Sequence, residues 1–478
     1  MNDSTKRVDV AILGAGTAGL TARRAAKKEG ASVLMIDPGP FGTTCARVGC
    51  MPSKLLIAAA DAAHHAADAA RFGVNAERIA IDGPAVLGRV QSERDRFVGF
   101  VLESIEQAKE DGELLVGRAR ITGPGRLLVD EETVVVFDRL VIATGTTPFV
   151  PPPFRGLEHV TLTNEGIFEL EDLPESLLVV GLGVIGLELG QAFHRLGVRT
   201  TLLGVGGRIG PITDPAVRTE AARVLGEELD LHPSYELENV EAVDEGVHVS
   251  FVDSGGASRE ETFERILVAA GRRTSLPWLG LDAMDVEPQD GKYLIDPDTL
   301  QLGDSPVFVA GDANLLHPLL HEAADDGRTA GANAGRFPDV QAANRRTPLG
   351  IAFTDPQIAI VGGGFRALAD CQAVAGEVDY GNQGRARVQG INRGKVRIYA
   401  DKHTGRLLGA ELFGPRVEHL AHLLAWAVQA NLTVDEALSM PFYHPVVEEG
   451  VRTALRDLSK ALRHGVPINC RVSEPGLS

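Results

Sequence analysis

Two cysteines that lie close together are the first residues in this sequence whose type and spacing could do chemistry. The chain has four cysteines in 478 residues, and Cys45 and Cys50 both fall in the run GPFGTTCARVGCMPSK. In a regular α-helix, residues at this spacing have Cα atoms roughly 8 to 9 Å apart, which is beyond the reach of a disulfide. The backbone is therefore distorted here, or the thiols bind a metal, or their proximity is accidental.

A histidine and a carboxylate near the C-terminus are of the types needed to move protons to and from thiols. The thiolate is the nucleophilic form of cysteine, and a free thiol titrates near ~8.5. An imidazole held by a carboxylate can accept a proton near neutral pH. The run FYHPVVEEG supplies His444, with Glu449 five residues later, and His444 is therefore the candidate general base.

Two glycine-rich segments are expected to position cofactors. Each consists of an apolar strand, a G-x-G-x-x-G turn, a helix closed by glycine and a second apolar strand, which is the β-α-β pattern. The glycines of the two turns are Gly14, Gly16, Gly19, Gly181, Gly183 and Gly186. In this motif one glycine permits the tight turn, one lets the backbone approach a pyrophosphate, and one lets helix and strand pack closely. We predict two dinucleotide-binding folds; the alternative is two glycine-rich turns in an ordinary α/β sheet.

The residue that follows the second strand of each segment bears on the choice of nucleotide. Asp37 ends that strand in the first segment, where a carboxylate can accept hydrogen bonds from an adenosine ribose. Gly204 holds the matching place in the second segment, with neither an acid nor a pair of arginines there. The choice between NAD and NADP therefore stays open, and Arg199 and Arg208 are nearby cations of unassigned role.

Length and composition limit the class of protein. A chain of 478 residues suggests roughly three domains. The net charge of −18 argues against binding to nucleic acid or to an anionic membrane surface. No apolar stretch is long enough to span a bilayer, and the N-terminal apolar run is typical of a strand and not of a signal peptide. We expect a soluble, cytoplasmic protein.

The remaining patterns alternate strands and helices until the chain changes character near residue 346. Alanine-rich helical patterns follow the cysteines, and three further strands end in the runs VIATG, VAAGRR and VFVAGDA. The runs PFVPPPFRG and PDVQAANRRTP are interpreted as linkers. The last part combines a hairpin pattern, GKVRIYADKHTGRLLGAELFG, with an apolar helix, EHLAHLLAWAVQANL, which predicts a separate α+β domain.

Taken together, these motifs resemble the flavin-dependent pyridine nucleotide-disulfide oxidoreductases, a family that includes dihydrolipoamide dehydrogenase, glutathione reductase and mercuric reductase. The resemblance covers nearly the whole chain, and the cysteine motif is its most specific part. It implies an α/β fold with two Rossmann-like dinucleotide-binding domains plus a C-terminal α+β dimerisation domain. The implied domains are FAD-binding residues 1–150 and 276–346, NAD(P)-binding residues 151–275 and interface residues 347–478.

The resemblance also assigns roles to residues. Cys45 and Cys50 would form a redox-active disulfide, with Cys50 nearer the flavin and Cys45 as the interchange thiol that meets the substrate. Lys54 would lie near the flavin, paired with Glu188. Asp312 would hydrogen-bond the flavin ribitol. The other expected cofactor contacts are Gly14, Gly16, Gly19, Asp37, Thr144, Gly145, Gly311, Gly181, Gly183, Gly186 and Gly271. His321 would lie either near the flavin ring or on the surface of its helix.

For proton transfer, the resemblance implies that His444, with Glu449, acts on the cysteines of the partner subunit, so that the active site needs a homodimer. Two positions depart from the family. Val446 stands where threonine usually follows the proline, and Phe442 stands where many dihydrolipoamide dehydrogenases have another histidine. These departures bear on the thiol substrate and leave the disulfide chemistry in place.

The function implied is oxidation of dihydrolipoamide, carried on a separate lipoyl protein, with FAD and with NAD or NADP as cofactors. One alternative is an NAD(P)H-dependent reductase of another disulfide or electrophile, similar to glutathione reductase or mercuric reductase. Cys470 stands alone where mercuric reductases carry a vicinal pair, and Cys371 is also a distant single cysteine. Another alternative is a scaffold subunit, which would not need the cysteines or His444. We expect no metal, because a two-cysteine site would need further ligands.

Overall fold

The computed structural model describes residues 5–244, 246–368 and 372–464; Cys371 and Cys470 lie outside these ranges. In the described residues the α-helices are α1 (Thr17–Lys28), α2 (Thr44–Val48), α3 (Cys50–Asp68), α4 (Gly83–Glu110), α5 (Val184–Arg195), α6 (Pro215–Gly226), α7 (Leu320–Arg336), α8 (Gly384–Gln389), α9 (Val417–Gln429), α10 (Val434–Ser439) and α11 (Glu449–His464). The β-strands there are β1 (Thr5–Leu13), β2 (Val33–Asp37), β3 (Leu114–Val116), β4 (Ala119–Gly123), β5 (Arg126–Val129), β6 (Thr133–Ile142), β7 (Thr146–Pro148), β8 (Thr161–Leu162), β9 (Ser176–Val180), β10 (Arg199–Leu203), β11 (Asp230–His232), β12 (Glu236–Val243), β13 (Gly246–Val252), β14 (Ser258–Phe263), β15 (Arg265–Val268), β16 (Arg272–Thr274), β17 (Val307–Val309), β18 (Leu349–Ala352), β19 (Gln357–Val361), β20 (Ala373–Asp379), β21 (Lys395–Asp401) and β22 (Leu407–Gly414).

The chain divides into two compact units. The first unit contains Met1–Pro52, Arg89–Phe149 and Arg272–Arg345, and the second contains Ser53–Gly88, Val150–Gly271 and Arg346–Ser478. Residues 53–88, which the sequence placed in the FAD-binding domain, group with the second unit. The assignment of a cofactor to each domain stays a prediction.

The first unit is built on a sheet with the order β3-β2-β1-β6-β5-β4, and β17 pairs with the end of β6. Strands β1, β2, β3, β6 and β17 pair in parallel. Helices α1 and α7 lie in close contact because α7 carries glycine where it meets α1: a Cβ atom at Gly327 or Gly331 would collide with the backbone of Ala18 or Ala22. This packing brings the segment that follows β17 next to the first glycine-rich turn.

The second unit contains another parallel sheet, with the order β11-β10-β9-β15-β8. Its strands β9 and β15 are mostly buried apolar residues, as expected where a sheet is covered on both faces. An antiparallel sheet, β12-β13-β14, packs against it through Val247, Phe251 and Phe263. The two predicted Rossmann-like folds are therefore present.

The C-terminal part of the second unit is the predicted α+β domain. Its antiparallel sheet has the order β18-β19-β22-β21-β20, and the hairpin predicted from the sequence is the β21–β22 pair. The predicted apolar helix is α9, which buries Leu420 and Leu424 in the core of this domain. The fold class predicted from the sequence is confirmed.

Candidate active site

The helix that carries the two cysteines is broken between them. Helix α2 ends at Val48, α3 begins at Cys50, and Gly49 lies between them with φ −134° and ψ −116°. A Cβ atom at Gly49 would lie 3.0 Å from the carbonyl oxygen of Thr44 and 3.3 Å from the Cα of Cys45. Of the three alternatives that the spacing left open, a distorted backbone is therefore present, and it brings Gly49 close against the backbone of Cys45.

The entry to α2 is also unusual. Thr43 has φ 61°, in the left-handed region that side chains rarely adopt, and its hydroxyl oxygen caps α2 by accepting the Ala46 N–H at 3.3 Å. Cys45 is half-buried and Cys50 is exposed. Cys50 is the first residue of a 19-residue helix, so the positive end of the helix dipole favours its thiolate.

The first glycine-rich turn has a backbone geometry that fits the three glycine functions predicted from its sequence. Gly14 has φ +103°, and a Cβ atom there would collide with the carbonyl oxygen of Ala143. A Cβ atom at Gly19 would collide with the carbonyl oxygen of Gly14, so Gly19 lets α1 pack on the turn. Gly16 instead faces open space at the start of α1, where backbone N–H groups and the helix dipole can hold a pyrophosphate.

The second turn repeats this arrangement residue by residue. Gly181 has φ +111° and faces the carbonyl oxygen of Ala269, Gly186 packs on the carbonyl oxygen of Gly181, and Gly183 faces open space. Gly271, with φ +115°, follows the strand that ends beside this turn. The duplicated geometry fits two dinucleotides, one at each turn.

Asp37 lies beside the first turn. Its carboxylate accepts the N–H of Ala15 at 2.7 Å and the N–H of Gly39 at 2.7 Å. The side chain is half-buried at the end of β2, so the carboxylate is held at the place where a ribose hydroxyl is expected.

The predicted ribitol contact, Asp312, stands at the start of a short 3₁₀ turn after β17. Burial raises the pKa of Asp312, and the charge of Arg272 opposes that rise. Gly311, with φ +67°, fits between α1 and α7, where a Cβ atom would lie 3.0 Å from that of Ala18. The backbone before Asp312 is therefore pressed directly against the helix of the first turn.

A buried carboxylate that sequence reasoning missed holds this turn in place. Asp326 on α7 is 2% exposed and accepts the N–H of Gly311 at 3.1 Å and the side-chain amide of Asn314 at 2.6 Å. Arg345 donates to the same carboxylate at 2.7 Å. The run PDVQAANRRTP, interpreted as a linker, thus supplies the counter-ion of a buried acid. Its sequence signal is only an arginine in a polar run.

Thr144 and Gly145 follow β6 in the first unit. The Thr144 hydroxyl accepts a hydrogen bond from Ser275 at 2.8 Å, and Gly145 has φ +63°. Arg272 donates to the side chain of Thr146 at 2.8 Å. The side chain of His321 is exposed on α7, and its Nε2 atom lies 3.8 Å from Oε1 of the neighbouring Glu322.

Lys54 and Glu188 form an ion pair within the second unit. Lys54 Nζ lies 2.6 Å from Glu188 Oε2, and Glu188 is 3% exposed. The other carboxylate oxygen accepts the N–H of Phe353 at 2.8 Å. The Lys54 ammonium also lies 4.5 Å from the centre of the Phe353 ring. The structure therefore brings together the pair that the resemblance implied, and it adds Phe353, which no sequence pattern indicated.

His444 and Glu449 form the expected imidazole–carboxylate pair. His444 Nδ1 lies 3.0 Å from both oxygens of Glu449, and the N–H of Val446 donates to the same carboxylate at 3.3 Å. The hydrogen bond from His444 lowers the pKa of Glu449, so the carboxylate remains ionised at neutral pH. The imidazole is 80% exposed in the single chain, which leaves Nε2 accessible to a thiol.

Within the described part of the chain, no group of three or more His, Cys, Asp or Glu side chains is arranged to hold a metal ion. None of the described helices has the length and hydropathy needed to cross a bilayer.

The two glycine-rich turns fit two dinucleotides, and the placing of FAD at the first turn, with Asp37 and Asp312, and of a nicotinamide dinucleotide at the second stays a prediction. Two nucleotide folds, a thiol pair at a helix break and an imidazole–carboxylate pair define a flavin-dependent disulfide oxidoreductase. Comparison with known proteins agrees. The pyridine nucleotide-disulphide oxidoreductase model matches residues 8–327, and the dimerisation domain of the same family matches residues 349–455. The chain belongs to this family, whose members use FAD and NAD(P).

Several relatives are similar over nearly their whole length. Dihydrolipoyl dehydrogenase of Halobacterium salinarum is 29% identical over 98% of this chain and 98% of its own. Mercuric reductase of Streptomyces lividans is 32% identical over 90% of this chain and 91% of its own. Among solved structures, LpdA from Mycobacterium tuberculosis has a TM-score of 0.78 at 25% identity, over 94% of this chain and 99% of its own. The flavoprotein disulfide reductase RclA from Escherichia coli shares the fold, with a TM-score of 0.77 at 20% identity, over 95% of this chain and 99% of its own.

Proposed function

We propose that this protein is a dihydrolipoyl dehydrogenase-type enzyme that oxidises protein-bound dihydrolipoamide through Cys45 and Cys50. The observation that carries the proposal is the helix break at Gly49, which lies between the two cysteines and close against the backbone of Cys45. A dithiol substrate matches such a pair, because thiol–disulfide exchange needs one attacking sulfur and one resolving sulfur.

In the proposed reaction the dithiol attacks the Cys45 sulfur of the Cys45–Cys50 disulfide. The first substrate sulfur forms a mixed disulfide with Cys45 and releases the Cys50 thiolate. The second substrate thiol then displaces Cys45, so that the substrate leaves as a cyclic disulfide and the enzyme holds two reduced sulfurs. Two electrons and two protons have left the substrate. FAD, when bound, supplies the route by which the two electrons reach NAD(P)⁺.

Proton transfer in this scheme belongs to His444 of the partner subunit. Its imidazole takes the proton of the attacking thiol, and Glu449 orients the ring and stabilises the imidazolium. The dimerisation domain that matches residues 349–455 contains both residues and supports a homodimer as the active form. Lys54 would stand near the flavin, where a cation favours negative charge on the reduced ring.

The relatives also support a second candidate. Mercuric reductase of Streptomyces lividans is the more identical of the two relatives compared above, and the position two residues before His444 is Phe442, packed on the C-terminal core. An NAD(P)H-dependent reductase of another disulfide or electrophile would use the same thiols in the opposite direction.

A steady-state assay separates the two candidates. The purified FAD-containing protein is given dihydrolipoamide and NAD⁺ or NADP⁺, and in parallel NADH or NADPH with oxidised glutathione or Hg²⁺. The proposal expects reduced coenzyme to form from dihydrolipoamide, and the rate to be lost in Cys45→Ser but kept in Cys371→Ser. Turnover only with the oxidised acceptors would favour the second candidate.

A further inference from the structure

The two nucleotide folds differ at one pair of positions that meet across each glycine-rich turn. The N–H of Gly14 donates to Ile36, and the N–H of Gly181 donates to Leu203. These matching hydrogen bonds make Asp37 and Gly204 structurally equivalent, since each directly follows the acceptor. By the same equivalence, Ala15 in the first turn corresponds to Leu182 in the second.

In the first turn the pair is small and acidic. Ala15 leaves room for Asp37, whose carboxylate accepts the Ala15 N–H at 2.7 Å. In the second turn the residue that corresponds to Ala15 is the larger Leu182, and the residue that corresponds to Asp37 is Gly204, which has no side chain. A Cβ atom at Gly204 would lie 2.6 Å from Cδ1 and 2.7 Å from Cγ of Leu182, and Leu182 is 4% exposed. Leu182 thus fills the space in which a carboxylate at position 204 would start.

The charge around the second turn points the same way. The run from Gly204 to Gly210 contains one charged side chain, that of Arg208, which is exposed. The backbone N–H of Arg208 donates to the carbonyl of Val205. Arg199 does not belong to this site. It stands at the opposite end of β10 and binds Glu261 and the carbonyl of Thr262, five residues from Gly204, a span of about 16 Å along a strand.

We propose that this coenzyme site binds NADP(H) at least as tightly as NAD(H), because Gly204 supplies no acid and Leu182 occupies the space in which an acid at that position would start. A carboxylate at position 204 would accept a hydrogen bond from the 2′-hydroxyl of NAD and would repel the 2′-phosphate of NADP. Here Leu182 takes the place of an acid, so position 204 adds no negative charge to repel the 2′-phosphate. The inference rests on the coenzyme site of the proposed function and concerns no thiol.

Isothermal titration calorimetry on the FAD-saturated protein tests this without turnover, and saturation keeps the ligands out of the first turn. The ligands are NADP⁺ and NAD⁺, together with adenosine 2′,5′-bisphosphate and 5′-AMP, which differ only in the 2′-phosphate. The variants are Gly204→Glu, Leu182→Ala and the double variant. The wild-type protein is expected to bind each 2′-phosphorylated ligand at least as tightly as its partner.

In the double variant the affinity ratio should turn against the 2′-phosphate by about tenfold or more, whereas Leu182→Ala alone adds no charge and should leave the ratio as in the wild-type protein. Wild-type protein that binds NAD⁺ measurably more tightly than NADP⁺ would overturn the proposal. The role of Leu182 would fail if Gly204→Glu alone discriminated as strongly as the double variant. A protein that prefers NADP⁺ but leaves dihydrolipoamide unoxidised would overturn the proposed function and not this inference.

Discussion

At the scale of single residues, the chemistry depends on how His444 is held. Two oxygens of Glu449 lie 3.0 Å from Nδ1, which leaves Nε2 to accept the thiol proton. His444→Gln should therefore lower the rate of dihydrolipoamide oxidation by about 10²- to 10⁴-fold. Reduction of a dye by NADH or NADPH, which needs no thiol proton transfer, should stay near the wild-type rate.

His403 offers the matched control for that variant. It is an exposed histidine in the turn between β21 and β22 of the same domain, and His403→Gln should leave both rates unchanged. Stopped-flow absorbance of the flavin reports the thiol step and the coenzyme step separately. An equal loss of both rates in His444→Gln would assign this histidine to the structure and not to proton transfer.

Candidate site residues can be found from the sequence where the residue type and spacing fit few roles other than a chemical or cofactor-binding one. Paired cysteines, the glycines of the turns and a histidine followed by glutamate stand out because few other roles need them. Asp326 and Phe353 could not be found in this way. Asp326 is an acid among several on α7, and Phe353 holds Glu188 through its backbone N–H from 165 positions away. Neither contact leaves a local pattern.

At the scale of elements, the first glycine-rich turn separates ligand binding from packing. A methyl group at position 16 enters the open space at the start of α1, whereas at position 19 it meets the carbonyl of Gly14. Gly16→Ala should weaken FAD binding and leave the melting temperature of the FAD-free protein unchanged. Gly19→Ala should destabilise even the FAD-free protein, by about 1–3 kcal/mol.

Calorimetry of FAD binding and thermal unfolding of the stripped protein measure these two effects. Gly183→Ala is the control for Gly16→Ala, because FAD binding should survive this change in the second turn. Gly186→Ala is the matching control for Gly19→Ala. If Gly16→Ala and Gly19→Ala lose the same stability without FAD, the division of roles is wrong.

Another element-scale contact joins three helical regions of the second unit. Arg195 on α5 lies 2.6 Å from Glu228 after α6, 3.1 Å from Asp61 on α3 and 3.1 Å from Asp355. Burial disfavours the charge of Glu228, but the hydrogen bond and charge of Arg195 outweigh it and lower the pKa of Glu228 below 4.5. Its stabilisation is therefore complete above about pH 4.5 and is lost as the pH falls through the lower, folded-state value.

Glu228→Gln should accordingly lower the free energy of unfolding at neutral pH by about 1–3 kcal/mol. The difference from the wild-type protein should shrink as the pH falls below the usual range of glutamate, since the wild-type carboxylate then takes up a proton in both states. Thermal unfolding at stepwise lower pH measures this. A difference that is constant with pH would show that Glu228 acts through packing and not through its charge.

The sequence predicts helices and strands well where their apolar residues follow one regular spacing or where a hairpin pattern joins two strands, as in the β21–β22 pair. The composition of the proline-rich run near residue 152 predicts a linker, yet Phe154 in it is 2% exposed and packs on the nucleotide fold. Proline marks where regular structure stops but does not show whether the side chains beside it are buried. Burial depends on tertiary contacts that a local pattern does not contain.

At the scale of the whole molecule, the proposed homodimer makes a prediction about mixed subunits. If Cys45 of one subunit works with His444 of the partner subunit, a heterodimer of Cys45→Ser and His444→Gln chains has one site with both changes and one with neither. Heterodimers purified through two different tags should then recover about half of the wild-type activity. If each site were built within a single chain, every site would carry one change and activity would stay near the level of the single variants.

The central claim is that Cys45 and Cys50 exchange electrons with a dithiol and pass them to a nicotinamide. Anaerobic titration of the FAD-containing protein with dihydrolipoamide and then with NAD⁺ or NADP⁺, followed by absorbance, tests it most directly. We expect dihydrolipoamide to raise a long-wavelength band that is absent in Cys50→Ser, and the oxidised coenzyme to remove the band as reduced coenzyme forms. If neither dihydrolipoamide nor NAD(P)H raises such a band, the role given to the cysteine pair is wrong.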